Sequence, residues 1–268
     1  MYDLNRIKGY LNTKYLGQTI IQYDELKSTI IKAKNIFDTC PNGTVVLSEY
    51  QSKCRIRFGR EWSSYPDKNI YLSIILKPEL ENYIISKYET ISSACVCESV
   101  NSIFNDLECK IKWPNDILIN NKKISSVNCE LVTKKNNIEG IIISIGINVN
   151  IEENEIDDEL KPFATSIKNE AHNDVDREIL IGCMLNNFET YHDELINYAN
   201  INKSISICSN SSILIGKNIE ITRPGKKTSR NVFVTNIDRD GQLIVTNDKG
   251  NEETINSGEV TIKYERKS

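Results

Sequence analysis

Ile111-Lys112-Trp113-Pro114-Asn115-Asp116-Ile117-Leu118-Ile119 places a cation, an aromatic ring, a rigid bend and two polar side chains inside an otherwise apolar, β-branched run. The flanking residues predict a strand interrupted at Trp-Pro. Asn120-Asn121-Lys122-Lys123 follows as a polar turn, and residues 124–133 as the second arm of a hairpin. A lysine entering a core strand is expensive to bury without an anionic partner. A substrate carboxylate or phosphate would supply that partner for Lys112.

Outward from this segment, helical and strand patterns alternate. Residues 26–37 have helical spacing through Ile30, Ile31, Ala33 and Phe37, with Ser28 or Thr29 where an N-cap falls, and Pro41-Asn42-Gly43 ends the run. Residues 44–50 and 70–76 read as strands. Residues 83–104 are periodic through Ile91, Ala94, Cys95 and Val100, which puts Cys95 and Cys97 on a helix as packing residues. Residues 140–150 are almost wholly apolar, as a strand buried on both faces is, and Asn148 stands out at their end. Residues 176–198 return to the helical pattern, and 200–212 read as a polar linker. Five short β-like runs follow, at 218–222, 231–237, 243–246, 252–255 and 260–264, with Asp240-Gly241 and Lys249-Gly250 at tight turns. The expected fold is α+β: a mixed sheet flanked by helices over residues 1–205, then a small SH3-like β-barrel over 206–268.

With 33 Lys+Arg against 37 Asp+Glu, the net charge of −4 offers no general surface to a polyanion. The start, Met1-Tyr2-Asp3-Leu4-Asn5, lacks the charged-then-apolar pattern of a secretory signal, so the eight cysteines are expected to be reduced, in the cytoplasm. No CxxC spacing occurs, and His172 and His192 are the only histidines, both read as surface or helix-face residues, so a cysteine zinc site is not expected. The longest nearly uncharged apolar run, residues 140–149, falls short of the roughly 20 residues of a membrane span. The runs 152–153 and 157–159 read as solvated acidic surface, and 225–227 as a solvated basic turn.

Neither G-x-x-x-x-G-K-[ST] nor G-x-G-x-x-G is present, so any phosphate chemistry needs another device. Residues 51–62 crowd Lys53, Arg55, Arg57 and Arg60 into one stretch. Such a cluster is either a solvated loop or an anion clamp. As a clamp, Arg55, Arg57 and Arg60 supply bidentate donors and Lys112 a point charge.

At these residues the chain resembles the biotin–protein ligases, or holocarboxylase synthetases. Lys112-Trp113-Pro114-Asn115-Asp116 is identical to that family's signature. Ser28-Thr29 resembles its Ser-Thr-Asn motif, and Glu49-Tyr50-Gln51 with the arginine stretch and Trp62 resembles its Gly-Arg-Gly-Arg-x-Gly-Arg-x-Trp segment. Gly146-Ile147-Asn148-Val149-Asn150 and Ala164-Thr165-Ser166 follow in family order. The resemblance implies a catalytic domain related to class II aminoacyl-tRNA synthetases. It also implies a reaction in which biotin and MgATP form biotinyl-5'-AMP, and biotin then passes to a lysine of a biotin carboxyl carrier domain of a biotin-dependent carboxylase.

By the same resemblance, Lys112 and Arg57 are catalytic. Ser28, Thr29, Ser52, Ile56, Arg57, Phe58 and Lys112 contact biotin, whose ring the strand from Ile143 to Ile147 could wall. Arg55, Arg60, Trp62, Asn115, Lys123 and Asn148 face ATP. Asp116 is either structural or near the magnesium. No tightly bound cofactor is implied, and a homodimer is compatible. Only 27 residues precede Ser28, too few for the DNA-binding domain of some relatives, so DNA is not expected as a partner.

The chain departs from the family pattern at Ile30, Ser52, Cys54, Ile56, Ser126 and Ser144. Cys54 and Ile56 replace glycines, which removes conformational freedom from the loop. A lipoate–protein ligase-like enzyme and a non-catalytic biotin or carrier binder are the rival readings.

Overall fold

The computed structural model describes residues 1–53, 64–78, 85–135, 137–223, 228–259 and 261–263. The arginines at 55, 57 and 60, together with Cys54, Ile56, Phe58 and Trp62, lie outside the described residues, as does the basic turn at 225–227.

Helix α1 (Leu4–Tyr10) leads into strand β1 (Ile20–Leu26) and helix α2 (Thr29–Ile36). Strands β2 (Thr44–Gln51) and β3 (Ile70–Leu76) precede the long helix α3 (Ile85–Ile103). Next come β4 (Cys109–Lys112), β5 (Asp116–Ile119), β6 (Lys122–Lys134) and β7 (Asn137–Ile147). These strands form a seven-stranded sheet in the order β1-β2-β3-β7-β6-β5-β4. Only β1 and β2 run parallel among its paired neighbours, so the sheet is mixed, as expected.

Successive side chains of a strand point to opposite faces, and this alternation sorts the apolar runs. Leu72, Ile74, Ile143, Ile145, Ile147, Val127 and Ile117 join a continuous core with Ile91, Cys95, Leu180, Met184 and Phe188 from α3 and from α5 (Arg177–Tyr198). On the opposite face, Val46, Ile75 and Ile142 are covered by Ala33 and Phe37 at one end only, by α2 and the turn that follows it. Burying each large aliphatic side chain contributes about 1.5–3 kcal/mol, so the isoleucine-rich face fixes the register.

The structure corrects two sequence expectations. The run from Ile111 to Ile119 is not one interrupted strand: the chain reverses at a cis Trp113-Pro114 step, and β4 pairs antiparallel with β5. The 200–212 stretch is not a polar linker, because helix α6 (Asn202–Asn210) occupies it, with Ile201 and Cys208 buried in the core and Ile205 packed against them. Apolar residues four and seven positions apart supply a helix stripe that the surrounding Ser and Asn obscure. The short C-terminal strands are present as expected: β8 (Asn218–Thr222), β9 (Ser229–Ile237), β10 (Leu243–Asn247), β11 (Glu252–Ile255) and β12 (Thr261–Lys263). They form an open antiparallel sheet, β11-β10-β9-β8-β12, and among the described residues the two short end strands do not pair to close a barrel.

Cys95 and Cys97 are fully buried on α3, in the packing role read from the sequence. Among the described residues no group of three acidic, cysteine or histidine side chains could hold a metal, and no helix is long and apolar enough to cross a membrane. His172 is exposed, but His192 is not a surface residue: it is buried on α5 against Tyr88 and Phe188, with Nδ1 2.7 Å from the Tyr15 hydroxyl. Burial pushes the His192 imidazole down to about 4.

The folded pKa of His192 therefore lies below its unfolded value of about 6.5, and the neutral ring stabilises the fold. That contribution is complete above pH of about 6.5 and is lost as pH falls toward about 4, an expected loss of about 3 kcal/mol. Urea titrations across this window should show a shallower pH slope for His192→Phe than for the wild type. Equal slopes would contradict the assignment.

Candidate active site

Register across the sheet generates one polar row. Tyr23, Ser48, Tyr71, Gly146, Ser126, Asp116 and Lys112 lie opposite one another in turn, one residue from each of the seven strands. A second row, Val46, Ser73, Ser144 and Asn128, lies between the first and the α2-covered end. Both rows are on the face opposite α3 and α5. Ile143, Ile145 and Ile147, expected to wall a ligand ring, point into the core instead, and Ser144 and Gly146 are what β7 presents to the polar face.

At one end of these rows the start of α2 meets the sheet. Ser28 is the N-cap residue of α2, and Thr29 is fully buried. The Ser73 hydroxyl donates to Thr29 Oγ1 at 2.9 Å, and the Thr29 N–H donates to Gln51 Oε1 at 2.7 Å. Ser52 is exposed, and its N–H is tied to the Leu26 carbonyl at 2.9 Å. Beyond the arginine stretch, Ser64 Oγ accepts the Gln51 N–H at 2.9 Å, and the Tyr65 N–H donates to the Tyr71 hydroxyl at 2.9 Å. The residues flanking the stretch on both sides are thus anchored to this face.

Ser73 was not singled out from the sequence. A lone hydroxyl at the centre of Ile70-Tyr71-Leu72-Ser73-Ile74-Ile75-Leu76 is the signal that marks Ser73. The same reasoning marks Ser144.

At the other end stand two lysines and a carboxylate. Lys123 Nζ is 2.6 Å from Asp116 Oδ1, and the Ser126 hydroxyl reaches the same oxygen at 3.3 Å. Lys112, half-buried, is the register partner of Asp116. Asp116 thus stands beside Lys123 and opposite Lys112 along the row. Residues 164–166 strap this end down. The Lys123 N–H donates to the Phe163 carbonyl at 2.7 Å, and the Thr165 N–H to the Lys123 carbonyl at 3.0 Å.

Two residues expected to face ATP have roles in the fold. Asn115 is buried, its Nδ2 donates to the Val127 carbonyl at 2.6 Å, and its own carbonyl accepts the Val127 N–H at 3.1 Å. Asn148 Nδ2 donates to the Thr165 carbonyl at 3.0 Å, and its Oδ1 faces Asn69 Nδ2 at 3.4 Å. Asn69 in turn donates to the Tyr71 hydroxyl at 3.0 Å. The strap therefore connects to the polar row through buried amides. Behind it, Arg177 makes a two-pronged contact with Glu49, at 2.7 and 3.3 Å, with its guanidinium 4.3 Å above the Tyr2 ring. Burial works against the Arg177 charge, but the Glu49 and Tyr2 contacts outweigh it and hold its pKa above the ordinary value.

The Asn148 links carry a stability consequence. Replacing Asn148 with Ala leaves the Thr165 carbonyl without its donor, a cost of about 1–3 kcal/mol. The lower unfolding midpoint should come with faster hydrogen exchange at the Thr165 amide. Unchanged exchange there would contradict the strap's dependence on Asn148.

Comparison with known proteins agrees with this geometry. Residues 21–148 match the model of the biotin/lipoate A/B protein ligase family. The bifunctional ligase/repressor BirA of Bacillus subtilis is 33% identical over 186 residues, covering 69% of this chain and 57% of that protein. The biotin–[acetyl-CoA-carboxylase] ligase of Mycobacterium tuberculosis is 25% identical over 190 residues, covering 69% of this chain and 66% of that protein. The chain thus spans about three-fifths of the length of these relatives. Among solved structures, the biotin protein ligase of Aquifex aeolicus in complex with biotin and ATP superposes with a TM-score of 0.80 at 24% identity, over 92% of this chain and all of that one, and so shares the fold. With residues 21–148 matching that family's model and a relative 33% identical over 69% of the chain, this chain belongs to the biotin/lipoate A/B protein ligase family.

Proposed function

We propose that this protein is a biotin–protein ligase that activates biotin with MgATP and transfers it to a lysine of a biotin carboxyl carrier domain. The observation that carries the reading is the polar face, with neutral hydrogen-bonding groups at the α2 end and Lys112, Asp116 and Lys123 at the other end. Neutral donors and acceptors suit a bicyclic ureido head group, and the cations suit a carboxylate and a triphosphate. The name of the M. tuberculosis relative, a biotin–[acetyl-CoA-carboxylase] ligase, favours biotin over lipoate.

In the first step a biotin carboxylate oxygen attacks the α-phosphorus of ATP, the bond from that phosphorus to the α,β-bridging oxygen breaks, and pyrophosphate leaves with the bonding electrons. Both reactants are anionic, so their approach is limited by repulsion. Lys112, with Arg57, lowers that repulsion and stabilises charge developing on the phosphoryl oxygens. In the second step the carrier's lysine amine attacks the acyl carbon of the mixed anhydride. AMP leaves with the bonding electrons, and the amine gives up its proton.

Ser28, Thr29 and Ser52 serve the head group, with Ile56 and Phe58 beside it. Arg55, Arg60, Trp62 and Lys123 serve the nucleotide. Asn115 and Asn148 shape the nucleotide end through the backbone carbonyls they hold. Magnesium enters with ATP as part of the substrate. Asp116 faces that end with Oδ1 already engaged by Lys123 and Ser126, so its first role is to orient Lys123. We extend the proposal to a catalytic domain over 1–205, an SH3-like C-terminal domain over 206–268, a cytoplasmic location and a homodimer.

Incubation with labelled biotin, MgATP and an apo carrier domain should label the carrier. Lipoate preference, or biotin binding without turnover, would replace the proposal with a rival. Lys112→Ala should lower pyrophosphate release by about 100-fold or more while leaving the unfolding midpoint unchanged. Near-normal release in that variant would remove Lys112 from its role.

A further inference from the structure

We propose that the β9–β10 turn of the C-terminal sheet, residues 238–242, is a positioning element for Lys112, acting through Trp113. The Trp113 indole is buried, and its Nε1–H donates to the Gly241 carbonyl at 2.9 Å. The same turn grips α3: Ser86 Oγ donates to the Asp240 carbonyl at 2.6 Å, and Lys87 Nζ is 3.0 Å from the Asp240 carboxylate. The acceptor carbonyl is therefore fixed relative to the core.

The turn is braced internally as well. Asp238 Oδ1 accepts the N–H groups of Asp240 at 2.9 Å and Gln242 at 2.8 Å, and the Asp238 N–H donates to the Gln242 carbonyl at 2.8 Å. Gly241 has φ +77°, and a Cβ built there would lie 2.3 Å from Thr90 Oγ1 and 2.7 Å from the Ser86 carbonyl. Glycine is required at this position on both counts.

The residue before Lys112 is held by the same part of the chain. The Ile111 N–H donates to the Ser211 carbonyl at 2.8 Å, and the Ile213 N–H donates to the Ile111 carbonyl at 3.0 Å. Both sequence neighbours of Lys112 are thus fixed by residues beyond 210, while Lys112 itself belongs to the polar row on the other face. A contact made from behind sets where the ammonium stands without touching a ligand. Displacement of a reacting group by about 1 Å can cost on the order of 100-fold in rate.

This inference rests on the proposed ligase activity, but its test has an arm that does not. The control is Gly250→Ala in the β10–β11 turn: Gly250 has φ +79°, and a Cβ there meets nothing within 4 Å, so backbone strain is matched and the contact is absent. Gly241→Ala should shift the Trp113 indole resonance and the Lys112 and Asp116 amide resonances, which Gly250→Ala leaves in place. It should also lower kcat for adenylate formation at least tenfold, with KM for biotin and ATP within twofold. In a Lys112→Ala background the same change should have no further effect on kcat. Asp238→Ala, which loosens the turn without adding bulk, is the second variant should Gly241→Ala not fold, with the same direction of change expected. Unmoved Lys112 and Asp116 resonances in the folded variants would overturn the coupling, as would a kcat matching that of Gly250→Ala. Failure of the wild type to label a carrier would instead fall on the proposed function, and the resonances would still decide the coupling.

Discussion

The two-residue period of a strand, locked across seven strands by their hydrogen bonds, is the constraint on which the rest of the structure depends. In β7 it sends Ile141, Ile143, Ile145 and Ile147 into the core and Ser144 and Gly146 to the opposite face. A slip of one residue would exchange the two sets, exposing isoleucines and burying hydroxyls, at a cost far above the stability of an ordinary domain. The hydrophobic core thus specifies the polar face: the burial that holds the sheet in register also aligns Ser48, Tyr71, Ser126, Asp116 and Lys112. No polar residue of the row has to supply the energy that places it.

Charge is arranged along that row with its desolvation offset. Lys123 lies beside Asp116, and Asp116 is also the register partner of Lys112, so neither lysine enters the sheet without a counter-charge nearby. Two ammonium groups at one end of the row are the groups the proposed reaction uses. The C-terminal sheet and α6 reach the same place from behind, through Gly241, Ser211 and Ile213. In this molecule the C-terminal sheet and the Lys112 end of the polar face are joined at one bend of the chain.

Much of this was legible in the sequence, for identifiable reasons. Strands β2, β3, β6 and β7 and helices α3 and α5 are long or strongly apolar, so their periodicity stands clear of local composition. Strand β1, Ile20-Ile21-Gln22-Tyr23-Asp24-Glu25-Leu26, is a half-buried edge whose charged end masks its alternation. Helix α6 is hidden by Ser and Asn, which favour turns in isolation but here cover a narrow stripe of Ile201, Ile205 and Cys208. The reversal at Trp113-Pro114 could not be told from a kink, because either fits a proline between two apolar runs. Lys112, Lys123 and Ser28-Thr29 were readable from their motifs. Ser73 was not, since its partner Thr29 lies 44 positions away, at the start of α2.

The most direct measurement is a crystal structure of the protein with a non-hydrolysable biotinyl-adenylate analogue. The account predicts a ligand laid along the polar face, its ring system beside Thr29 and Ser73, its acyl–phosphate junction hydrogen-bonded by Lys112 Nζ, and its phosphate toward Lys123. A ligand seated on another surface, or one leaving the Lys112 ammonium turned to solvent, would contradict it.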